Sequence, residues 1–304
     1  MIRGRLGVVI LFVLACGGMV GGAAGCRQPT VDPRGVPLAP PPSYADVAAA
    51  HNARVAALDP LWARVTVQVS GRDAEGRRLN EQAEGHLQLQ RPASVSLTLG
   101  KLGETYFQLG SNDERYWWFD MLDEEVRAGV FGRHELANPW KLEQLGVPVH
   151  PKDLRAVLNV DPWPTDPAMG GRTFWSSDGQ YVGVSLPAQN GRRVVWLDPE
   201  TLQPRVVEIQ GPDMEARVRA TLSRERFVPV QTGQGGATVA PTLASNYRIR
   251  VIDLDAVISL SLWEPQVREL NPVLFDFDRL VQLRRIISIR DLDAGEPTDK
   301  LPRF

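Results

Sequence analysis

The chain has 304 residues, with 34 Lys and Arg against 36 Asp and Glu and a formal net charge of −2. That balance excludes the strongly basic surface of a nucleic-acid-binding protein. Two cysteines in a chain this long exclude a disulfide scaffold, and its length is enough to bury a sizeable core without one.

Arg3 and Arg5 precede an apolar, uncharged run from Leu6 to Val20. Ala23-Ala24-Gly25-Cys26 then gives way to polar Arg27-Gln28-Pro29-Thr30. A charged start, an apolar middle and small residues before a cut form the export-signal pattern. The cysteine directly after the small residues resembles the lipobox of bacterial lipoproteins. That resemblance implies removal of residues 1–25, acylation of the Cys26 thiol, and attachment to a membrane through the N-terminal acyl chains. Arg27 stands where some lipoproteins carry the aspartate that holds them at the inner membrane, which favours an outer-membrane address facing the periplasm. Val13-Leu14-Ala15-Cys16 offers a second lipobox. Cys26 is favoured because Gly17 to Gly25 would make a poor water-soluble tether, whereas the residues after Cys26 make a good one. An uncleaved membrane anchor over Leu6 to Gly25 is the remaining alternative, since that length can just span a bilayer.

Residues 26–42 form the lipidated cysteine and tether. Pro29, Pro33, Pro37, Pro40, Pro41 and Pro42 impose extended polyproline II, about 3.1 Å per residue, so a folded body can hang up to roughly 50 Å from the membrane. A helix follows. Ser43 and Asp46 make a capping pair, Tyr44, Val47, Ala48, Val55 and Leu58 share one face, and Asp59-Pro60 ends it.

The period then changes to two. Val65 and Val67, Leu87 and Leu89, and Val95, Leu97 and Leu99 alternate with polar residues, as strands with one apolar face do. Turn signals between them imply an antiparallel meander. The proline-rich stretch 133–168 breaks the pattern and carries a short helix, with Pro151 at its start and Leu154, Val157 and Leu158 on one face. Strands resume at Val182–Leu186, Arg193–Leu197, Arg205–Ile209 and Ala216–Leu222. After a glycine-rich loop from Gly233 to Thr242, Tyr247–Ile252 and Ala256–Trp263 form another pair, and Leu283–Ile289 reads as a last strand. The expectation is a single α+β domain over 43–304, mainly antiparallel β, with its core at 44–222 and a C-terminal β extension at 243–290. Its sheet carries its helices on one face.

Chemistry-bearing motifs are scarce. No dinucleotide fingerprint, P-loop, nucleophile elbow or paired-histidine zinc motif occurs. His51, His86, His134 and His150 lie far apart in sequence, without metal-ligand spacing. Asp253/Asp255, Asp276/Asp278 and Asp291/Asp293 are spaced to share a face, but they read best as turn residues. A hydrolase pairing such carboxylates with a histidine is the weakest functional reading. The expectation is a non-enzyme without metal or cofactor and without a nucleic-acid partner.

Tyr116-Trp117-Trp118-Phe119 is more informative. Adjacent tryptophans in a strand point to opposite faces, so both faces are covered there or one indole faces a cavity. With Val65, Val67, Leu87, Leu89, Val95, Leu97 and Leu99, Trp117 and Trp118 are candidates for lining an apolar ligand trough.

The order of elements over about residues 44–222 resembles the LolA/LolB-like class of bacterial envelope proteins. The residues that carry it are the helix Tyr44–Leu58 leading into Ala63-Arg64-Val65-Thr66-Val67, and Glu84 to Leu89 with Arg91-Pro92. The insert Pro151 to Leu158 before Asp161-Pro162 and the hairpin from Val194-Val195-Trp196-Leu197 to Arg205-Val206-Val207 complete it. The resemblance implies a curled, unclosed half-barrel with the N-terminal helix and the helical insert on its concave side. It implies a membrane-anchored envelope lipoprotein that binds a lipid or lipoprotein acyl chain, or another amphiphile. The alternative is a sensor or scaffold that binds an envelope protein, like the related sigma-factor regulators.

Overall fold

The computed structural model describes residues 39–72, 78–101, 103–123, 125–138, 150–166, 171–188, 191–230 and 241–294. Helix α1 (Tyr44–Val55) starts where the capping pair puts it: the Ser43 hydroxyl accepts from the Asp46 amide at 3.2 Å. Strands β1 (Leu61–Arg72), β2 (Arg78–Gln90), β3 (Ser94–Lys101), β4 (Glu104–Ser111), β5 (Arg115–Asp120) and β6 (Ala128–Arg133) follow as an antiparallel meander. Helix α2 (Pro151–Leu158) separates it from β7 (Arg172–Trp175), β8 (Val182–Ala188), β9 (Gly191–Leu197), β10 (Pro204–Gln210) and β11 (Ala216–Phe227). The chain closes with β12 (Thr242–Val251), β13 (Ala256–Val267), α3 (Phe277–Arg284) and β14 (Ser288–Asp291).

All fourteen strands join one sheet in the order β14-β6-β5-β4-β3-β2-β1-β13-β12-β11-β10-β9-β8-β7. The two meanders are therefore joined by β12 and β13. Of the residues expected as a C-terminal extension, β12 and β13 occupy the middle of the sheet and β14 its edge. Among the described strands only β14 pairs in parallel, with β6.

The sheet curls. Helix α2 packs against β3 and β4 on one side and β10 on the other. Six strand positions separate β3 from β10. Flat, that is roughly 30 Å at about 4.8 Å per strand, far more than the ~10–12 Å width of one helix. The ends of the sheet must rise around α2, and the result is an unclosed half-barrel. Gly85 sits in that curl: a Cβ there would lie 1.7 Å from the Thr98 carbonyl oxygen. Only glycine permits so close a strand approach.

The main core lies between the inner face of the sheet and α1 and α2. Val47, Ala48 and Val55 from α1 and Leu154, Val157 and Leu158 from α2 join it. Two expectations need correction. Leu283–Ile289 is not one strand: α3 ends at Arg284 and β14 begins at Ser288. Nor are the helices confined to one face. Phe277 and Leu280 of α3 cover Trp117, Phe119 and Met121 on the outer face. Asp276 caps α3 by accepting from the Arg279 amide, and Arg284 ties it down by donating to the buried Gln108 side chain at 3.0 Å.

Candidate functional site

The candidate trough residues share the inner face. Leu87 faces Ala63 on β1 and Leu97 on β3, and Leu89 faces Leu61 and Val95. Val65 and Leu99 flank Gly85, while Val67 faces Ala83. One register therefore holds across three strands, as period-two spacing requires. Val65, Val67, Leu87, Leu89, Val95 and Leu99 are buried, and Leu97 is half-buried at the edge of the same cluster.

The tryptophan pair divides. Trp118 joins the inner cluster and faces Leu109. Trp117 lies on the outer face beneath α3, its ring 5.7 Å from that of Phe277. The structure thus brings eight of the nine candidates together and removes Trp117 from the trough face. Cys26 lies outside the described residues.

Over the inner face, α1 and α2 form a plug held by polar contacts at its rim. Asn52 and Trp163 exchange two hydrogen bonds, at 3.0 Å and 2.7 Å. His51 stacks on the Trp163 ring at 4.0 Å. Arg54 donates to His51 Nδ1 at 2.8 Å, which leaves the ring proton on Nε2, where it is donated to the Asp161 carbonyl at 2.8 Å. Burial pushes His51 down to about 3, against that carbonyl bond and with help from Arg54. The ring is neutral.

Two arginines fasten the plug to the sheet. Buried Arg155 of α2 pairs with Asp161 and donates to the Gln90 and Ser94 carbonyls at the β2–β3 turn, both at 3.0 Å. Arg91 donates to the Val55 carbonyl at the end of α1 at 2.7 Å. Arg193 reaches toward the same place from β9. Burial lowers its pKa, opposed by Asp161 and Asp153. Arg155 and Arg91 reach carbonyls at the β2–β3 turn and the end of α1, Arg193 donates to the Ala156 carbonyl of α2 at 3.5 Å, and apolar side chains of both helices make up much of the remaining contact with the sheet. Sequence reasoning missed these anchors. The available signal was His51, which shares the buried stripe of α1 with Val47, Ala48 and Val55.

His134 and His150, far apart in sequence, meet beside Tyr116. The Lys152 amide donates to His150 Nδ1 at 3.1 Å, capping α2. His150 therefore carries its proton on Nε2 and donates it to His134 Nδ1 at 3.2 Å. His134 Nε2 then donates to the Asn112 carbonyl at 2.7 Å. Each link fixes the next tautomer, so both rings must be neutral. Burial, then the neighbouring His134, pushes His150 down to about 3, and burial also lowers His134. Burial likewise pushes the Tyr116 phenol up to about 12.

The aspartate pairs are structural. Asp276 caps α3, Asp291 accepts from the Asp293 amide at 2.8 Å, and Asp253 pairs with Arg217 at 3.1 Å. Among the described residues, no group of three His, Cys, Asp or Glu side chains is placed to hold a metal ion.

No family model and no curated protein matches the sequence. Several solved structures resemble it in fold. One is a putative outer membrane lipoprotein-sorting protein domain from Vibrio parahaemolyticus, at 11% identity and a TM-score of 0.49 over 77% of this chain and 97% of that one. Another is a DUF1329 family protein from Desulfovibrio piger, at 10% identity and a TM-score of 0.48 over 78% and 97%. A LolA superfamily protein from Nitrosomonas europaea shows 9% identity and a TM-score of 0.47 over 78% and 99%.

Proposed function

We propose that the chain is an envelope lipoprotein, anchored through Cys26, whose half-barrel takes an acyl chain or similar amphiphile between the inner sheet face and the helical plug. One observation carries this reading. Apolar side chains of both helices, among them Val47, Val55, Leu154, Val157 and Leu158, pack without directional bonds on the inner face, with the buried Arg193 of β9 set among them. An acyl chain can replace those apolar helix side chains on the β1–β3 half of the face, away from Arg193 on β9. Sequestering several hundred Å² of acyl surface at about 25 cal/mol per Å² supplies on the order of 10 kcal/mol before ordering costs.

The test is titration of the delipidated protein with a long-chain fatty acid and a lysolipid, followed by tryptophan emission. The expected result is a saturable shift that Leu97→Glu weakens without unfolding the domain, because half-buried Leu97 sits where a charge can reach water. No shift at micromolar ligand, together with unfolding by Leu97→Glu, makes the inner face an ordinary core.

A second reading has its own observation. Val126, Leu283, Ile287 and Ile289 are exposed beside the sheet edge formed by β14, where the Ile287 amide bonds the Arg127 carbonyl. Exposed apolar groups at an edge strand favour a protein-binding sensor or scaffold. Replacing Leu283 and Ile287 with serine would then abolish capture of an envelope partner while leaving fatty-acid uptake intact.

A further inference from the structure

The outer face carries a second groove, separate from the trough. It has a volume of about 950 Å³ and runs over β1, β2 and β3 between the β3–β4 hairpin and the end of β13. Its wall on the β13 side is a bulge. Trp62 pairs with Gln266 and Arg64 with Trp263, so Glu264 and Pro265 together stand opposite Ala63, one residue more than regular pairing allows. Glu264 adopts φ +50°, a strained conformation for a side chain of its size. Bulges re-aim side chains, and this one turns Trp263 and Glu264 onto the groove. Trp263 is 47% exposed, yet its indole is pinned by a 3.1 Å hydrogen bond from Nε1 to the Thr66 hydroxyl. Beyond it, Trp62 tilts against His86 at 5.5 Å and carries the Arg268 guanidinium 3.9 Å above its ring.

Forked and planar polar groups line the rest. Asn80, Gln82, Glu84 and Arg64 project from alternate positions of neighbouring strands, and all but the groove walls are open to solvent. The lining holds Glu81, Glu84, Glu104 and Glu264 against Arg64 and Lys101. This excess of acid repels phosphates, anionic lipid headgroups and uronic acids. The large apolar side chain lining this groove on the outer face is the Trp263 indole, too little for an acyl chain. An extended peptide would seek a free strand edge. Here β1, β2, β3 and β13 each pair on both sides, so their backbone groups are already used. What remains is an ordered aromatic plane beside Arg64 and Glu84, with Gln82 and then Asn80, which accepts from Gln68 at 2.9 Å, farther along the groove. That set matches a pyranose ring, with an apolar C–H face for the indole and a rim of hydroxyls for the forked groups.

We infer that this outer groove binds a neutral oligosaccharide of a few residues, with Trp263 as the stacking platform and Arg64, Asn80 and Glu84 as hydroxyl partners. The site is independent of the amphiphile reading, since Trp263 lies on the opposite face of the sheet from Leu97.

The test is calorimetric titration of the full chain with chitotetraose and maltotetraose, with tetragalacturonate and tetralysine as contrasts. At least one neutral tetrasaccharide should bind with a millimolar or tighter Kd, and tetragalacturonate at least about tenfold more weakly. Trp263→Ala should weaken binding by about tenfold or more while leaving the melting temperature unchanged, as expected at an exposed site. Glu84→Ala should weaken it severalfold. The proposal is overturned if neither neutral sugar binds at millimolar concentration, or if Trp263→Ala leaves binding intact. It is also overturned if tetralysine binds through Trp263 in place of the sugars, which would make the groove a peptide surface.

Discussion

Three histidines are buried in tautomers that leave no room for a second proton. His51 and His150 are pushed down to about 3 and His134 is lowered too. An unfolded histidine titrates near 6.5. The unfolded chain therefore binds more protons below that pH, and stability is fully present above about 6.5 and is lost progressively as pH falls toward 3. At pH 5 each of His51 and His150 contributes about 2 kcal/mol of this loss. Scanning calorimetry should show the melting temperature falling by on the order of 10 °C between pH 7.5 and 5. His150→Asn keeps a helix-capping oxygen but removes the titrating ring, so it should flatten that dependence. An unchanged melting temperature across this range would show that the rings are charged or accessible. None of this pairing was visible in the sequence, because His134 and His150 reach one another only through the turn that closes β6 and the cap that opens α2. Arg155 belongs to the same scale. Arg155→Ala removes the partner of Asp161 and of two carbonyls at the β2–β3 turn, and should cost about 3 kcal/mol in urea unfolding.

At the scale of elements, alternation located β1, β2 and β3 and the face each one buries, while apolar runs located β8, β9 and β10 without a face, since β9 buries the adjacent Val194 and Val195. Capping and proline signals located α1 and α2. The failure at Leu283–Ile289 has a physical reason. Arg284-Arg285-Ile286-Ile287-Ser288-Ile289 is rich in β-branched residues and suits a strand. The helix before it is decided by tertiary contact, since Phe277 and Leu280 must reach Trp117 and Phe119. That contact also explains Gly110, where a Cβ would lie 2.4 Å from the Trp117 indole. The ring is rigid and fully buried and cannot yield. Gly110→Ala should therefore destabilise by about 1–3 kcal/mol, and Trp117→Ala by about 3–5 kcal/mol through the cavity it leaves under α3. Equal denaturant midpoints for wild type and Gly110→Ala would show that α3 is not seated as described.

At the scale of the whole molecule, β12 and β13 make one continuous inner surface from two meanders. Strand count alone could not reveal this, because the partners of β13 are β1, nearly two hundred residues earlier, and β12. The shared inner face of Val65, Val67, Leu87, Leu89, Val95, Leu97 and Leu99 was legible in the residues themselves, and Trp117 was the exception, since adjacent strand residues cannot face the same way. The two helices on the concave side were expected from the resemblance, but the anchors that hold them were not, because most of their partners are main-chain carbonyls that no residue pattern advertises. The central claim is that the apolar face beneath the plug accepts an amphiphile. Mass spectrometry of the organic extract from protein purified without detergent tests it most directly. The extract should contain a stoichiometric, long-chain amphiphile that Leu97→Glu reduces severalfold. An extract free of such molecules, from protein that also takes up none when they are supplied, would contradict it.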